Sequence, residues 1–73
     1  MFVTVKALTT LIDNNLRYVA EAKESKEEHE ETEYNDYMAT METKLKKQLE
    51  ELKLISSSEK LIARYESIIM QTF

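Results

Sequence analysis

The sequence predicts an all-α fold, and three observations lead to that prediction. The chain of 73 residues contains no glycine and no proline, the residues on which tight turns of β-sheet proteins usually depend. Charged residues make up 33% of it, as is typical of solvated helix faces. Its apolar residues recur at spacings of three and four, the period of one face of an α-helix. We therefore expect a single small helical domain over residues 1–73.

The first helix is predicted at residues 4–23, with Thr4 as a candidate N-cap. Its apolar stripe consists of Val5, Leu8, Ile12, Leu16 and Val19, widened by Leu11 and Ala20. Asn15 lies beside this stripe. A polar residue there can fix helix register or oligomeric state, but the sequence favours the simpler interpretation that Asn15 rims the core.

The second helix is predicted at residues 26–55, because Ser25 and Glu28 match a capping box. Its apolar stripe consists of Tyr34, Met38, Met41, Leu45, Leu49 and Leu52. An alternative is one continuous helix over residues 4–55, since the eighteen residues from Leu16 to Tyr34 make five helical turns. The hairpin is preferred because a single chain can then bury both of its own stripes.

The third helix is predicted at residues 58–72, opened by a second capping box formed by Ser56 and Glu59. Its apolar face consists of Leu61, Ile62, Tyr65, Ile68, Ile69 and Phe73. Antiparallel pairing with the second helix would bring three apolar pairs together, namely Tyr65 with Leu49, Ile68 with Leu45, and Phe73 with Met41. The expected architecture is therefore an antiparallel helical hairpin extended to a three-helix bundle.

Self-association is expected from the small size of the chain. A domain of this length buries only about 60% of its unfolded surface, and without cysteine no disulfide can stabilise it. Broad apolar faces on all three segments therefore predict a homodimer through coiled-coil-like contacts. The residues expected to carry the contacts are Leu8, Ile12, Met41, Leu45, Ile68 and Phe73.

Acidic residues are concentrated in one segment, residues 21–36. It holds eight acids and two lysines, a net charge of −6, whereas the whole chain has a net charge of −4. The carboxylates most suited to a partner are those of Glu27, Glu28, Glu30 and Glu31. They predict either a solvated face that keeps the protein soluble or an acidic inhibitor or mimic that blocks a basic site on a nucleic-acid-binding protein.

Enzyme activity is not expected, because the chain has no cysteine, one histidine and no nucleophile motif. His29 and Glu33 could share a metal ion at i, i+4 spacing, but a third ligand is missing and no metal or cofactor is expected. The acidic net charge disfavours direct nucleic-acid binding, and no segment is apolar enough for a membrane. A non-enzymatic, cytoplasmic protein-interaction or regulatory module is expected, with the general look of small glycine-free helical proteins of bacteria and their phages.

Overall fold

The computed structural model describes residues 4–73, and this part of the chain folds into three α-helices. They are α1 (Val5–Glu24), α2 (Glu31–Ile55) and α3 (Glu59–Thr72). A short 3-10 turn, Lys26–Glu28, lies between α1 and α2. No strand occurs within residues 4–73. The predicted all-α, three-helix architecture is confirmed.

Helix α2 lies between the other two helices and packs against both. The hydroxyl of Tyr65 on α3 donates a hydrogen bond of 2.9 Å to the carboxylate of Asp13 on α1. Further along both helices, the ammonium group of Lys23 donates to the backbone oxygen of Thr72. From the first hydrogen bond to the second, the residue number increases on α1 and also on α3. Helices α1 and α3 therefore run in the same direction, and α2 runs antiparallel to them. The bundle is a flattened body of 40 × 26 × 15 Å.

The core is built from the three apolar stripes. Its buried residues are Leu8, Ile12, Val19, Met41, Leu45, Leu49, Leu52, Tyr65 and Ile69. Partly buried residues that pack against them are Val5, Leu16, Met38, Leu61 and Ile62. The predicted widening of the first stripe is wrong, because Ala20 is exposed and Leu11 is 50% exposed. Helical period thus predicted most of the core but overestimated the width of its α1 side.

The predicted start of the second helix is wrong by five residues, because Ser25 ends α1 instead of capping α2. Its backbone N–H donates to the carbonyl of Glu21 at 3.1 Å, and its hydroxyl donates to the same oxygen at 3.1 Å. The Ser25 side chain makes no capping hydrogen bond to the 3-10 turn that follows. The chain is extended at Glu30, and α2 begins at Glu31. This break also rules out the continuous helix over residues 4–55.

The other helix N-termini are capped by side-chain hydroxyls. Thr4 accepts a hydrogen bond of 3.0 Å from the N–H of Ala7, as predicted. At α3 the predicted pair of Ser56 and Glu59 is wrong, and Ser58 is the N-cap, accepting from the N–H of Leu61 at 3.2 Å. Ser56 instead accepts from the N–H of Ser58 at 3.1 Å, which holds the connection in a tight turn.

Asn15 is a buried polar residue and not a rim residue, so the favoured interpretation of the sequence is wrong. Only 8% of its surface is exposed. Its side-chain amide donates a hydrogen bond of 2.9 Å to the side-chain oxygen of Gln48 on α2. Because a buried amide without a partner is costly, this pair favours one register of α1 against α2.

Candidate functional site

The end of the bundle where α1 connects to α2 contains a cleft of about 420 Å³. This volume lies within the range of about 300–1,000 Å³ that small-ligand sites occupy. The last two turns of α1, the connection and the first two turns of α2 all contribute to it. The residues that line the cleft are Tyr18, Glu21, Ala22, Ser25, His29, Glu33, Tyr34 and Tyr37. We refer to it as the tyrosine cleft.

The cleft holds three of the four tyrosines of the chain. Tyr18 belongs to α1, whereas Tyr34 and Tyr37 are one helical turn apart on α2, so the rings come from two different helices. Tyr34 is half-buried at the end of the apolar stripe of α2. Tyr18 and Tyr37 are 47% and 40% exposed. Their rings are thus partly open to solvent and can contact another molecule.

Sequence reasoning assigned no role to Tyr18 or Tyr37, because neither falls on a core stripe. A usable signal was nevertheless present. Tyr18, Ala22 and Ser25 follow one another at spacings of four and three, which places them on one side of α1. The sequence therefore contained a second, smaller periodic face of α1 beside the core stripe, and this face indicates the α1 side of the cleft.

Negative charge dominates the cleft and its surroundings. Glu21 and Glu33 line it, and none of the described lining residues is lysine or arginine. The four predicted partner-facing acids are all exposed in the connection or at the start of α2, and they are Glu27, Glu28, Glu30 and Glu31. We call the tyrosine cleft together with these four residues the acidic end. The arrangement favours a cationic ligand.

The four predicted acids do not share one helix face, contrary to the expected second helix from residue 26. Glu27 and Glu28 belong to the 3-10 turn, Glu30 is the extended residue before α2, and Glu31 is its first residue. Their carboxylates therefore follow an irregular path around the connection. Acids at the N-terminus of a helix are stabilised there by the helix dipole.

Two tyrosine rings of the cleft already have a cation of the same chain nearby. The ammonium nitrogen of Lys26 lies 5.2 Å from the ring centre of Tyr34, and the guanidinium carbon of Arg17 lies 5.6 Å from that of Tyr18. Both distances are within the roughly 6 Å over which a ring attracts a cation. Lys26 lines a neighbouring cavity of about 370 Å³ and not the tyrosine cleft.

His29 lies in the connection, where the imidazole Nε2 is 3.2 Å from the hydroxyl oxygen of Ser25. The predicted helical pair of His29 and Glu33 is not formed as expected, because His29 has extended backbone angles and precedes α2. Both residues line the cleft. Within residues 4–73, no group of three His, Cys, Asp or Glu side chains is close enough to hold a metal ion.

The contact between Ser25 and His29 resembles the nucleophile and base of a hydrolase only in distance. The serine hydroxyl has one proton, and the carbonyl oxygens of Glu21 and Ala22 accept from it at 3.1 and 3.4 Å. The hydroxyl thus helps to end α1. Donation of the Ser25 hydroxyl proton to these carbonyl oxygens competes directly with its transfer to the imidazole of His29.

Most residues predicted to mediate self-association lie inside the single chain. Leu8, Ile12, Met41 and Leu45 are buried core residues, Ile68 is half-buried and Phe73 is 39% exposed. The described large apolar residues with substantial exposure are Leu11, Tyr18, Tyr37, Leu54, Ile55, Met70 and Phe73. Dimerisation stays a prediction, and among the described apolar residues those of this second set are the most accessible to another copy.

The fold and the cleft together define a small helical bundle with an acidic, tyrosine-lined end. Comparison of the chain with protein-family models, with curated proteins and with solved structures gave no match. None of the described helices has the length and apolar character needed to span a bilayer.

Proposed function

We propose that this chain is a non-enzymatic protein-binding module whose acidic end takes a basic segment of a partner protein. The observation that carries the proposal is the convergence of charge and shape at one place. Residues 21–36 hold a net charge of −6, and the tyrosine cleft is formed by residues of this segment together with the flanking Tyr18 and Tyr37. A cytoplasmic site of action and a homodimeric state belong to the same proposal, in keeping with the absence of cysteine and the small core.

Charge supplies the first step of recognition in this proposal. Several carboxylates grouped on one surface attract a basic segment over a distance set by the salt concentration, about 8 Å at physiological ionic strength. Such steering raises the association rate more than it raises the final affinity. The cleft then supplies the apolar and aromatic contacts that charge alone does not.

A second candidate is an acidic mimic that blocks the nucleic-acid site of a basic protein. It is favoured by the irregular path of Glu27, Glu28, Glu30 and Glu31, which spreads exposed carboxylates around the connection. A mimic must compete with nucleic acid for its partner, whereas a general protein-binding module need not. Displacement of a short DNA duplex from the partner therefore separates the two functions.

The proposed function is tested by titrating an oligolysine peptide into the protein by calorimetry at low salt. Reversing Glu27, Glu28, Glu30 and Glu31 to lysine should abolish binding. The matched control reverses the same number of acids elsewhere, namely Glu42, Glu50, Glu51 and Glu66, and has the same net charge. That control should retain most of the binding. Equal losses in the two variants, or no binding by the wild type, would refute the proposed function.

A further inference from the structure

We infer that the tyrosine cleft is an aromatic cage for one cationic side chain, lysine or arginine, of the basic segment. This inference rests on the proposed function for the source of the side chain, and it deepens that function by naming what the cleft holds. The ring faces of Tyr18, Tyr34 and Tyr37 contact the cation, and the carboxylates of Glu21 and Glu33 balance its charge.

The composition of the cleft matches the chemistry of cation recognition. The face of an aromatic ring is negative, so rings arranged around a cavity attract a cation even where water is partly excluded. The rings of the cleft come from both α1 and α2, so a side chain that enters it can reach aromatic rings of two helices. The two glutamates of the lining add opposite charge, and no described lining residue adds a lysine or arginine.

Two of these rings already lie within reach of a cation of the same chain. Lys26 lies over Tyr34 and Arg17 lies over Tyr18, one ammonium group and one guanidinium group. Neither cation lines the tyrosine cleft. The space within the cleft is thus left for a cation from outside the chain.

The acidic surroundings indicate that the cation belongs to a protein segment and is not a small free ion. Glu27, Glu28, Glu30 and Glu31 are exposed in addition to the two carboxylates of the cleft. One small cation could neutralise only part of this charge. A segment with several positive side chains can insert one into the cleft and place the others against the remaining carboxylates.

The decisive measurement follows the ring proton signals of the wild-type protein by NMR while an oligolysine or an oligoarginine peptide is added. Signals of Tyr18 and Tyr37 should shift and saturate together. The signal of Tyr65 serves as the internal control, because this ring is buried in the core. Shifts confined to backbone signals of residues 27–31, with unmoved cleft rings, would overturn the cage.

Two double variants distinguish the contribution of the tyrosine rings to binding from that of their hydroxyl groups. The variant with Tyr18→Leu and Tyr37→Leu should bind the peptides at least about fourfold more weakly, because each exposed ring contributes a factor of roughly two to five. The variant with Tyr18→Phe and Tyr37→Phe keeps both rings and should bind within about twofold of the wild type. Equal affinity of the leucine variant and the wild type would overturn the inference.

The outcomes distinguish the cage from the proposed function on which it rests. If charge reversal at residues 27–31 abolishes binding but loss of the rings does not, the cage fails and the proposed function stands. If neither peptide binds the wild type, both fail. Saturation of the ring shifts by tetramethylammonium chloride at concentrations no higher than those of the peptides would overturn the assignment to a protein side chain.

Discussion

Substituting Leu45 by alanine tests whether the core of this protein is completed within one chain. The side chain of Leu45 is 0% exposed and lies on α2, which packs against both α1 and α3. It was also one of the residues predicted to mediate self-association. If its burial is complete in the monomer, the cost of the substitution must not depend on protein concentration.

The expected loss is about 3–4 kcal/mol in the free energy of unfolding. A buried leucine truncated to alanine costs roughly 2–5 kcal/mol, and the larger values occur where neighbours cannot collapse into the cavity. Leu45 belongs to the middle helix, so helices on both sides hold the cavity open. Domains of this length have about 4–11 kcal/mol of total stability, and Leu45→Ala should therefore remove about a quarter of it or more.

Urea unfolding followed by circular dichroism measures this loss. With a slope of about 1 kcal/mol per molar urea for a small domain, the midpoint should fall by roughly 3–4 M. The control is Leu54→Ala, because Leu54 is 85% exposed and should change stability by less than about 0.5 kcal/mol. Similar losses in the two variants, or a loss for Leu45→Ala that disappears at high protein concentration, would refute the reasoning.

Three further predictions concern polar groups. Asn15→Leu leaves the partly buried amide of Gln48 without its partner and should cost about 1–3 kcal/mol of unfolding free energy. Adding Gln48→Leu should restore at least half of that loss. No recovery in urea unfolding would contradict the role of the pair. Burial, and then the hydrogen bond to the carboxylate of Asp13, raise the pKa of Tyr65 above 10.0. The neutral Tyr65 hydroxyl therefore stabilises the folded state fully below pH 10.0, and this stabilisation is lost as pH rises through the folded-state pKa. Tyr65→Phe should therefore lose less stability than the wild type across that range, and parallel curves of unfolding free energy against pH would count against it. Ser58→Ala removes the α3 cap and should cost about 1 kcal/mol, whereas Ser57→Ala in the same turn should cost little; equal thermal midpoints would show that the cap contributes nothing.

Only part of the candidate site could be predicted from the sequence. The acidic segment was evident from composition, and Glu27, Glu28, Glu30 and Glu31 are exposed as expected. The tyrosine cleft was not predicted. Its walls come from residues on two helices that converge only when the chain reverses, and neither Tyr18 nor Tyr37 has a periodic signal as strong as that of the core.

The sequence by itself determined the all-α class, the three helices and most of the core. These features follow from side-chain period and from the absence of glycine and proline, which act locally and repeat along each segment. Tertiary structure decided where α2 begins, the burial of Asn15 and the position of the cleft. Each of these depends on a choice between competing partners: Ser25 bonds to the end of α1 instead of opening α2, and Asn15 bonds to Gln48 across the helix pair. Such choices are settled only when the helices pack, because one hydrogen bond contributes only about 0.5–1.5 kcal/mol net and side-chain bonds compete with the helix for the same backbone groups.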